Sequence, residues 1–256
     1  MFRLPEKYFA VLRGPLESGR QHPNNLGAML ILSVFLQALL FVLVYIVGAD
    51  RSIFPSIEKL RFIHLIITIV LVIFSLIYAI PSIFMRQQKI QYLITILVSQ
   101  NLFGFLPLMM ALFFLGKGDN ISAESLLLFT YCIVGFGLLI FIITSIRFYI
   151  LLRKGAYRSG GKIEQKRTNI ESNIKSLLPI IIVVSLGVVY TLQYLIRSFN
   201  LYDFEIVFLA TVAIIIFFAM LFILPEQLVI LYCKYRFDSF NYNKKGDLKP
   251  MGRKGA

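Results

Sequence analysis

Residues 62–85 read FIHLIITIVLVIFSLIYAIPSIFM, and they contain no Asp, Glu, Lys or Arg between Arg61 and Arg86. The stretch has neither the polar stripe of a surface helix nor the alternation of a half-buried strand. An α-helix rises about 1.5 Å per residue, so roughly 20 apolar residues cross the hydrocarbon core of a bilayer. The stretch therefore predicts a helix that spans a membrane.

Similar charge-poor stretches recur along the chain. Apolar residues make up 58% of the chain and charged residues 15%, whereas soluble domains average about 45–50% and 25%. A soluble fold of this composition would expose a largely apolar surface, which a lipid environment accommodates. We predict an all-α polytopic membrane helix bundle with six transmembrane helices, at about residues 26–47, 62–85, 90–116, 125–152, 176–196 and 206–233.

The basic residues predict the orientation of this bundle. The formal net charge is +13, from 26 Lys and Arg against 13 Asp and Glu. In a six-span arrangement, the Lys and Arg concentrate on the side that carries residues 1–25, the 86–89 link, the linker 155–175 and the tail 234–256. Because cytoplasmic loops carry an excess of Lys and Arg, both termini are expected in the cytoplasm. Anionic lipid headgroups on that face are the expected partner, and nucleic acid is not.

Residues 1–25 form a cytoplasmic lead before the first predicted span, and two interpretations of it stay open. In the first, Pro5 begins a short helix that ends at Arg13, and Phe9 and Leu12 rest on the membrane surface. In the second, the segment is a disordered lead-in. The sequence favours neither interpretation over the other.

Two further segments lie outside the predicted spans, within or after the transmembrane domain of residues 26–233. Residues 155–175 combine glycines with many charges and are expected to form a mobile cytoplasmic linker. Residues 234–256 form a basic, glycine-bearing tail, expected to be disordered from Phe237 onward. No extracellular domain is expected, because the remaining connecting loops are short.

The third predicted span contains polar residues near its centre. Gln100 and Asn101 follow Ser99 there, and Pro107 lies further along the same stretch. Amides inside a membrane are costly unless they are paired, and a proline frees the backbone carbonyl one turn earlier. Interrupted spans of this kind hold substrate sites in some transporters. Alternatively, Gln100 or Asn101 hydrogen-bonds Gln37 of the first span and ties the two helices together, by about 0.6–2 kcal/mol.

Glu226 is an acidic residue inside the last apolar stretch, directly after Pro225. It is expected near the inner edge of the membrane, at the depth where Arg147 and Arg86 end their spans. One hypothesis makes Glu226 a gate or proton site that pairs with one of these arginines. The other makes it an interfacial carboxylate that is solvated or paired.

The histidines and cysteines predict no metal or cofactor. His64 is expected to be an isolated residue near the outer edge of the second span, and His22 lies in the lead. Two histidines so far apart, with no acidic cluster nearby, do not form a metal site. Cys132 and Cys233 are expected at opposite depths of the membrane, which excludes a disulfide between them.

The sequence contains no phosphate loop, nucleophile elbow or zinc-protease motif, so an enzyme is not the expected function. The leading hypothesis is an accessory, stabilising or immunity-type subunit that binds another membrane protein or a second copy of itself. The alternative is a transporter or ABC-type permease subunit whose substrate site combines Gln37, Gln100, Asn101 and Glu226. The abundant Ile, Phe and Lys and the absence of Trp are typical of an AT-rich bacterial genome, which favours a bacterial plasma membrane.

Overall fold

The computed structural model describes residues 4–117, 121–161, 163–165 and 202–252. Within these ranges the chain is helical, and its only extended pairing is an isolated bridge between Tyr242 and Leu248. Five helical segments in this part of the chain are long and apolar enough to cross a membrane. The chain is therefore a multi-pass α-helical membrane protein. The sixth predicted span, at residues 176–196, lies outside the described residues.

Side-chain caps fix two of the helix starts. His22 Nδ1 accepts a hydrogen bond from the amide of Asn24 (3.2 Å), and Ser122 Oγ accepts one from the amide of Ser125 (3.2 Å). These bonds satisfy amides that have no partner in the first turn of a helix. The first span consists of α1 (Pro23–Val42) and the π-helical turn Leu43–Gly48, and the second span is α2 (Ile57–Tyr78). The third span consists of α3 (Gln88–Gln100), the π-helical turn Asn101–Phe105 and α4 (Leu106–Leu115). The two remaining long helices are α5 (Ala123–Arg153) and α6 (Tyr202–Arg236).

Proline shortens the second span relative to its predicted end at residue 85. Helix α2 ends at Tyr78, and Pro81 begins a separate short helix, Pro81–Phe84. The intervening Ile80 has an extended backbone (φ −75°, ψ 123°), because the ring of a following proline disfavours the helical conformation. The charge-free stretch therefore contains one long helix and one additional turn.

The third span is the central element of the bundle. In an apolar stretch of 18 residues taken from each span, 61% of the residues of the third span are buried, against 6–28% in the other four spans. Leu106 and Leu112 of α4 pack in one core with Leu30 of α1 and Leu71 of α2. The other spans place most of their apolar side chains outward, as expected for helices whose outer faces contact lipid or further helices.

The lead, the turn after α5 and the tail pack together at one end of the bundle. We call this the end cap, and it comprises residues 4–17, 156–161, 163 and 237–248. Phe9, Leu12, Tyr157, Phe240 and Tyr242 are all buried in one apolar cluster there. The expected disorder of the tail is therefore wrong for residues 237–248.

The lead is helical, but it does not rest on the membrane surface in the way its first interpretation required. A 3-10 helix covers Glu6–Arg13 and a short α-helix covers Gly14–Glu17. Phe9 and Leu12 are fully buried inside the end cap. The apolar side chains of the lead contact the protein's own tail, which supplies the surface that lipid was expected to supply.

Side chains satisfy the backbone of the buried tail. The Gln88 amide donates to the carbonyl of Tyr242 (3.0 Å) and accepts from its backbone amide (2.8 Å). The Tyr242 hydroxyl donates to the carbonyl of Leu16 (2.8 Å), and Lys234 Nζ donates to the carbonyl of Phe240 (3.1 Å). Buried backbone groups cost about 1–3 kcal/mol each when unpaired, so these bonds are what allow a polar tail to fold inward.

Candidate functional site

A histidine forms the centre of a polar cluster between the first three spans. His64 of α2 is buried, with Nδ1 lying 3.1 Å from the hydroxyl of Tyr45 and Nε2 lying 2.8 Å from Oδ1 of Asn101. Phe41 and Phe105 cover the imidazole, with ring centroids 5.6 and 4.6 Å away. The expectation that His64 is an isolated residue at the membrane edge is therefore wrong.

Both partners of His64 lie in π-helical turns. Tyr45 belongs to the turn Leu43–Gly48, and Asn101 begins the turn Asn101–Phe105. A π-turn inserts one extra residue and re-aims the side chains around it, and such turns are frequent at functional sites. The second turn has a local cause, since Pro107 has no amide hydrogen to donate to the preceding turn.

The amide oxygen of Asn101 fixes one proton in this cluster. An amide oxygen only accepts, so His64 Nε2 carries a hydrogen and donates it to Asn101 Oδ1. When the imidazole is neutral, Nδ1 accepts from the Tyr45 hydroxyl. In that form, two hydrogen bonds run from Tyr45 through His64 to Asn101.

Two more polar side chains, buried in the first two spans, make no hydrogen bond. Both amide atoms of Gln37 and the hydroxyl of Thr68 have no partner, and neither has Nδ2 of Asn101. Gln37 lies two turns before Tyr45 on α1, and Thr68 lies one turn after His64 on α2. We call Gln37, Tyr45, His64, Thr68 and Asn101 the His64 cluster.

The predicted bond from Gln37 to Gln100 or Asn101 is absent in the structure. Asn101 bonds His64 instead. Gln100 faces α6, where its Nε2 donates to the carbonyl of Met220 (3.2 Å) and to Oε1 of Gln227 (3.4 Å). Consecutive residues of a helix point about 100° apart, so Gln100 and Asn101 serve different neighbours.

The contact of Gln100 with α6 lies near a second proline. Pro225 lies inside α6, where it has no amide hydrogen and its ring pushes aside the carbonyl one turn earlier, at Leu221. Gln100 reaches the adjacent carbonyl of Met220. Gly104 faces the same part of α6, and a Cβ there would make an ordinary van der Waals contact with Met220 Cβ, at 3.8 Å. Gln100 therefore ties the third span to α6.

Glu226 lies away from the His64 cluster. It lines a cavity of about 300 Å³ between α5 and α6, together with Thr144, Arg147 and Tyr157. Arg86 lines a different cavity, beside the tail. Of the two arginines proposed as partners of Glu226, the structure places only Arg147 on the same cavity.

Sequence reasoning missed Tyr45, His64 and Thr68, although α2 carries a signal for two of them. The buried residues of α2 recur at alternating steps of four and three. This spacing places them on one face of a helix. Small or polar residues on the buried face of an otherwise apolar span indicate helix contacts. The buried residues of α2 are His64, Thr68, Leu71, Ser75 and Tyr78.

Among the described residues, no group of three or more His, Cys, Asp or Glu is close enough to hold a metal ion. The His64 cluster instead offers neutral donors and acceptors from a phenol, an imidazole, two amides and a hydroxyl. Such groups suit water or a small neutral polar molecule. No protein-family model, curated protein or solved structure matches this chain.

Proposed function

We propose that the protein is a six-span bacterial plasma-membrane protein that acts as an accessory or stabilising subunit of a larger membrane assembly, with an immunity-type protector as one form of that role. The observation that carries this proposal is the use of the third span's polar residues. They tie the bundle together, while the outer faces of the other spans stay apolar.

Amides of the third span bond to the first two spans, to the tail and to α6. Gln91 Nε2 donates to the carbonyls of Pro23 (2.9 Å) and Tyr78 (3.2 Å), and so joins the ends of the first two spans. Gln88 holds the tail, Asn101 holds α2 and Gln100 holds α6. Interhelical bonds of this kind contribute about 0.6–2 kcal/mol each in a membrane. They favour a rigid bundle, which suits a scaffold.

The positions of the described helix ends support a sixth span at residues 176–196. Helix α5 ends beside the end cap, where Leu152 is buried. Helix α6 begins at the opposite end, because Leu209 and Ala213 line a cavity with Val44 at the far end of the first span. A sixth span would join these two ends of the bundle.

The distribution of charge supports a cytoplasmic end cap. Four basic residues lie at the opposite end of the described bundle, in the loops or at the start of α2: Arg51, Lys59, Arg61 and Lys117. Because cytoplasmic loops are the basic ones, the end cap and both termini belong on that side. Thirteen basic residues lie in or beside the end cap: Lys7, Arg13, Arg20, Arg86, Lys89, Arg153, Lys154, Arg158, Lys234, Arg236, Lys244, Lys245 and Lys249.

The apolar faces of α5 and α6 are the surfaces proposed for a partner. Only 17% of the residues in the 18-residue apolar stretch of α5 are buried, and only 6% in that of α6. Leu138 and Ile215 are exposed on these helices. Partner spans or a second copy of the chain would find large apolar surfaces here.

Photo-crosslinking in cells tests this role. We expect Leu138→benzoylphenylalanine or Ile215→benzoylphenylalanine to crosslink to one other membrane protein, and mild-detergent purification to recover that protein in stoichiometric amount. The same replacement at Phe35, an exposed residue of α1, is the matched control. Crosslinks to lipid alone at all three positions, with a protein that purifies alone, would contradict the accessory role.

A transporter is the second candidate function, and the unpartnered atoms of Gln37 and Thr68 favour it. Polar groups at the interior of a span mark solute pathways in transporters. If solute and water enter, Gln37→Cys and Thr68→Cys will react with small aqueous thiol reagents in a chain carrying Cys132→Ser and Cys233→Ser. Ser75→Cys, a buried position on the same face of α2, is the control. Absence of labelling at both test positions would exclude this candidate.

A further inference from the structure

A polar cavity of about 430 Å³ lies at the edge of the end cap, where the link between α2 and α3 meets the tail. Three basic residues line it: Arg86 from the link, Lys89 from the first turn of α3 and Lys249 from the tail. We propose that this cavity binds the phosphate of an anionic phospholipid headgroup. The proposal goes beyond the accessory role and does not depend on it.

The charges of the cavity select for an anion. The single carboxylate on its wall is Asp238, and among the described residues it forms no salt bridge with Arg86, Lys89 or Lys249. The cavity therefore combines three cations with one anion. An arginine offers a planar fork of donors and the two lysines offer mobile point charges, which is the combination that phosphate oxygens accept.

The walls of the cavity are held in place by bonds of the tail. Gln88 is buried on the cavity wall and bonds both backbone groups of Tyr242. The carbonyl of Lys249 accepts from Arg13 Nη2 (3.1 Å), and its amide donates to the carbonyl of Asn241 (3.1 Å). The backbone that carries Lys249 is thus fixed next to the link, so its ammonium adds to the charge of Arg86 and Lys89 without a prior folding step.

The cavity also lies where lipid headgroups lie. It opens at the first turn of α3 and the last turn of α6, and Tyr235 on its rim is 55% exposed. Lys89 Nζ is 5.3 Å from the centre of the Tyr235 ring. Tyrosine and lysine are the residues that anchor helix ends at the headgroup level.

An apolar track for the acyl chains continues from the same rim. Leu97 lies seven residues after Ile90 of the cavity wall, and Leu228 lies seven residues before Tyr235. Residues seven apart occupy the same face of a helix, and both leucines are exposed. A phospholipid with its phosphate among the cations can therefore lay its chains along α3 and α6.

This arrangement distinguishes between phospholipid classes. A zwitterionic headgroup carries its own cation, which would meet Arg86 and the two lysines and be repelled. An anionic headgroup, such as that of phosphatidylglycerol, has no such group. Basic pockets between spans on the cytoplasmic side bind anionic headgroups by this chemistry.

The absence of tryptophan from the chain gives a direct test. Tyr235→Trp places a single fluorophore on the rim of the cavity in the full chain, which is reconstituted into phosphatidylcholine vesicles containing dibrominated phosphatidylglycerol. Bromine quenches only nearby tryptophan. We expect stronger quenching than with the same fraction of dibrominated phosphatidylcholine, each normalised to vesicles without bromine.

Three matched triple variants locate the effect. Arg86→Gln with Lys89→Gln and Lys249→Gln is expected to reduce the preference for phosphatidylglycerol by roughly tenfold, since each cation contributes strongly at an anionic surface. The charge-conserving set Arg86→Lys, Lys89→Arg and Lys249→Arg is expected to retain it. The control set removes the same charge from exposed lysines of the same end that do not line the cavity: Lys154→Gln, Lys244→Gln and Lys245→Gln.

Three results would overturn the proposal. The first is an unchanged preference in the Gln variant of the cavity. The second is an equal loss in the control set, which would assign the preference to the overall surface charge. The third is equal quenching by dibrominated phosphatidylglycerol and dibrominated phosphatidylcholine in the unmodified lining, together with a change in the Tyr235→Trp emission when sn-glycerol 3-phosphate is added, which would make the cavity a site for soluble phosphates. Retained preference in the control and charge-conserving sets, with loss in the cavity variant, supports a lipid site.

Discussion

The end cap and the His64 cluster are both buried and polar, and they differ in how their polar groups are used. In the cap, Gln88 and Lys234 each bond backbone groups of the tail. In the cluster, Gln37 and Thr68 are buried without any side-chain hydrogen bond. Every other buried polar residue of the described chain makes at least one. The unpaired buried atoms of the cap, Arg13 Nε and Asn241 Oδ1, belong to side chains that bond through another atom, whereas Gln37 and Thr68 bond through none.

The difference separates stability from function. Buried polar groups are normally bonded, and each exception requires an explanation. Unused hydrogen-bonding groups reduce stability by about 1–3 kcal/mol each, so a bundle that needed only stability would replace Gln37 and Thr68 with apolar residues. The end cap is therefore the region to perturb when folding is measured, and the His64 cluster is the region to perturb when binding is measured.

The largest expected effect is a cavity in the end cap. Phe240 is fully buried against Phe9 and Cys233, so Phe240→Ala should lower the free energy of unfolding in detergent by about 3–5 kcal/mol. Phe35→Ala, at a lipid-exposed position of α1, is the matched control and should change it by under about 1 kcal/mol. Similar values for both variants would show that the tail does not pack as described.

A second prediction applies one substitution to both regions. Gln88→Leu leaves the amide and carbonyl of Tyr242 unpaired and should cost about 1–3 kcal/mol. Gln37→Leu removes an amide that bonds nothing, so it should be neutral or stabilising. Chemical unfolding in mixed micelles measures both. A loss at Gln37 as large as that at Gln88 would show that Gln37 has a bound partner in solution, and would strengthen the transport candidate.

A third prediction concerns coupling inside the His64 cluster. His64→Leu and Asn101→Leu should be non-additive by about 0.6–2 kcal/mol, because each variant already removes their shared bond. His64→Leu and Gln100→Leu should be additive, since Gln100 bonds α6. Thermal unfolding of the single and double variants measures both cycles. Coupling in the second cycle and not in the first would contradict the observed partners.

The spans were predictable from the sequence because their cause is local. Crossing a bilayer requires about 20 apolar residues in a row, and the sequence around Phe62 shows this without reference to the rest of the chain. The end of α2 was misplaced for a local reason as well, since Pro81 ends the helix before the apolar stretch ends.

The cap and the cluster were not predictable because their contacts join distant residues. Tyr242 looks like part of a disordered tail until Gln88 and Leu16 are placed beside it. His64 looks interfacial until the two π-turns bring Tyr45 and Asn101 to it. Asn101 was identified from its position at mid-span, but composition and periodicity did not indicate which neighbouring helix it faces.

The smallest expected effect is a pH dependence of the end cap. Burial raises the pKa of the Tyr242 hydroxyl to about 12, and the nearby Arg13 opposes the shift. An unfolded tyrosine has a pKa of about 10. Between these values the unfolded chain loses a proton that the folded chain keeps, so stability falls as the pH rises above about 10, and this group has no effect below it.

Tyr242→Phe tests this dependence. The variant loses the hydroxyl bond to Leu16 (2.8 Å), so it should be less stable at pH 8. It also removes the titrating group, so the decline of its melting temperature toward pH 11 should be shallower than that of the unmodified chain. Tyr131→Phe, at an exposed position of α5, is the control. Parallel curves for Tyr242→Phe and the unmodified chain would show that the hydroxyl is solvated, and that the tail lies more loosely on the cap than Gln88 and Leu16 imply.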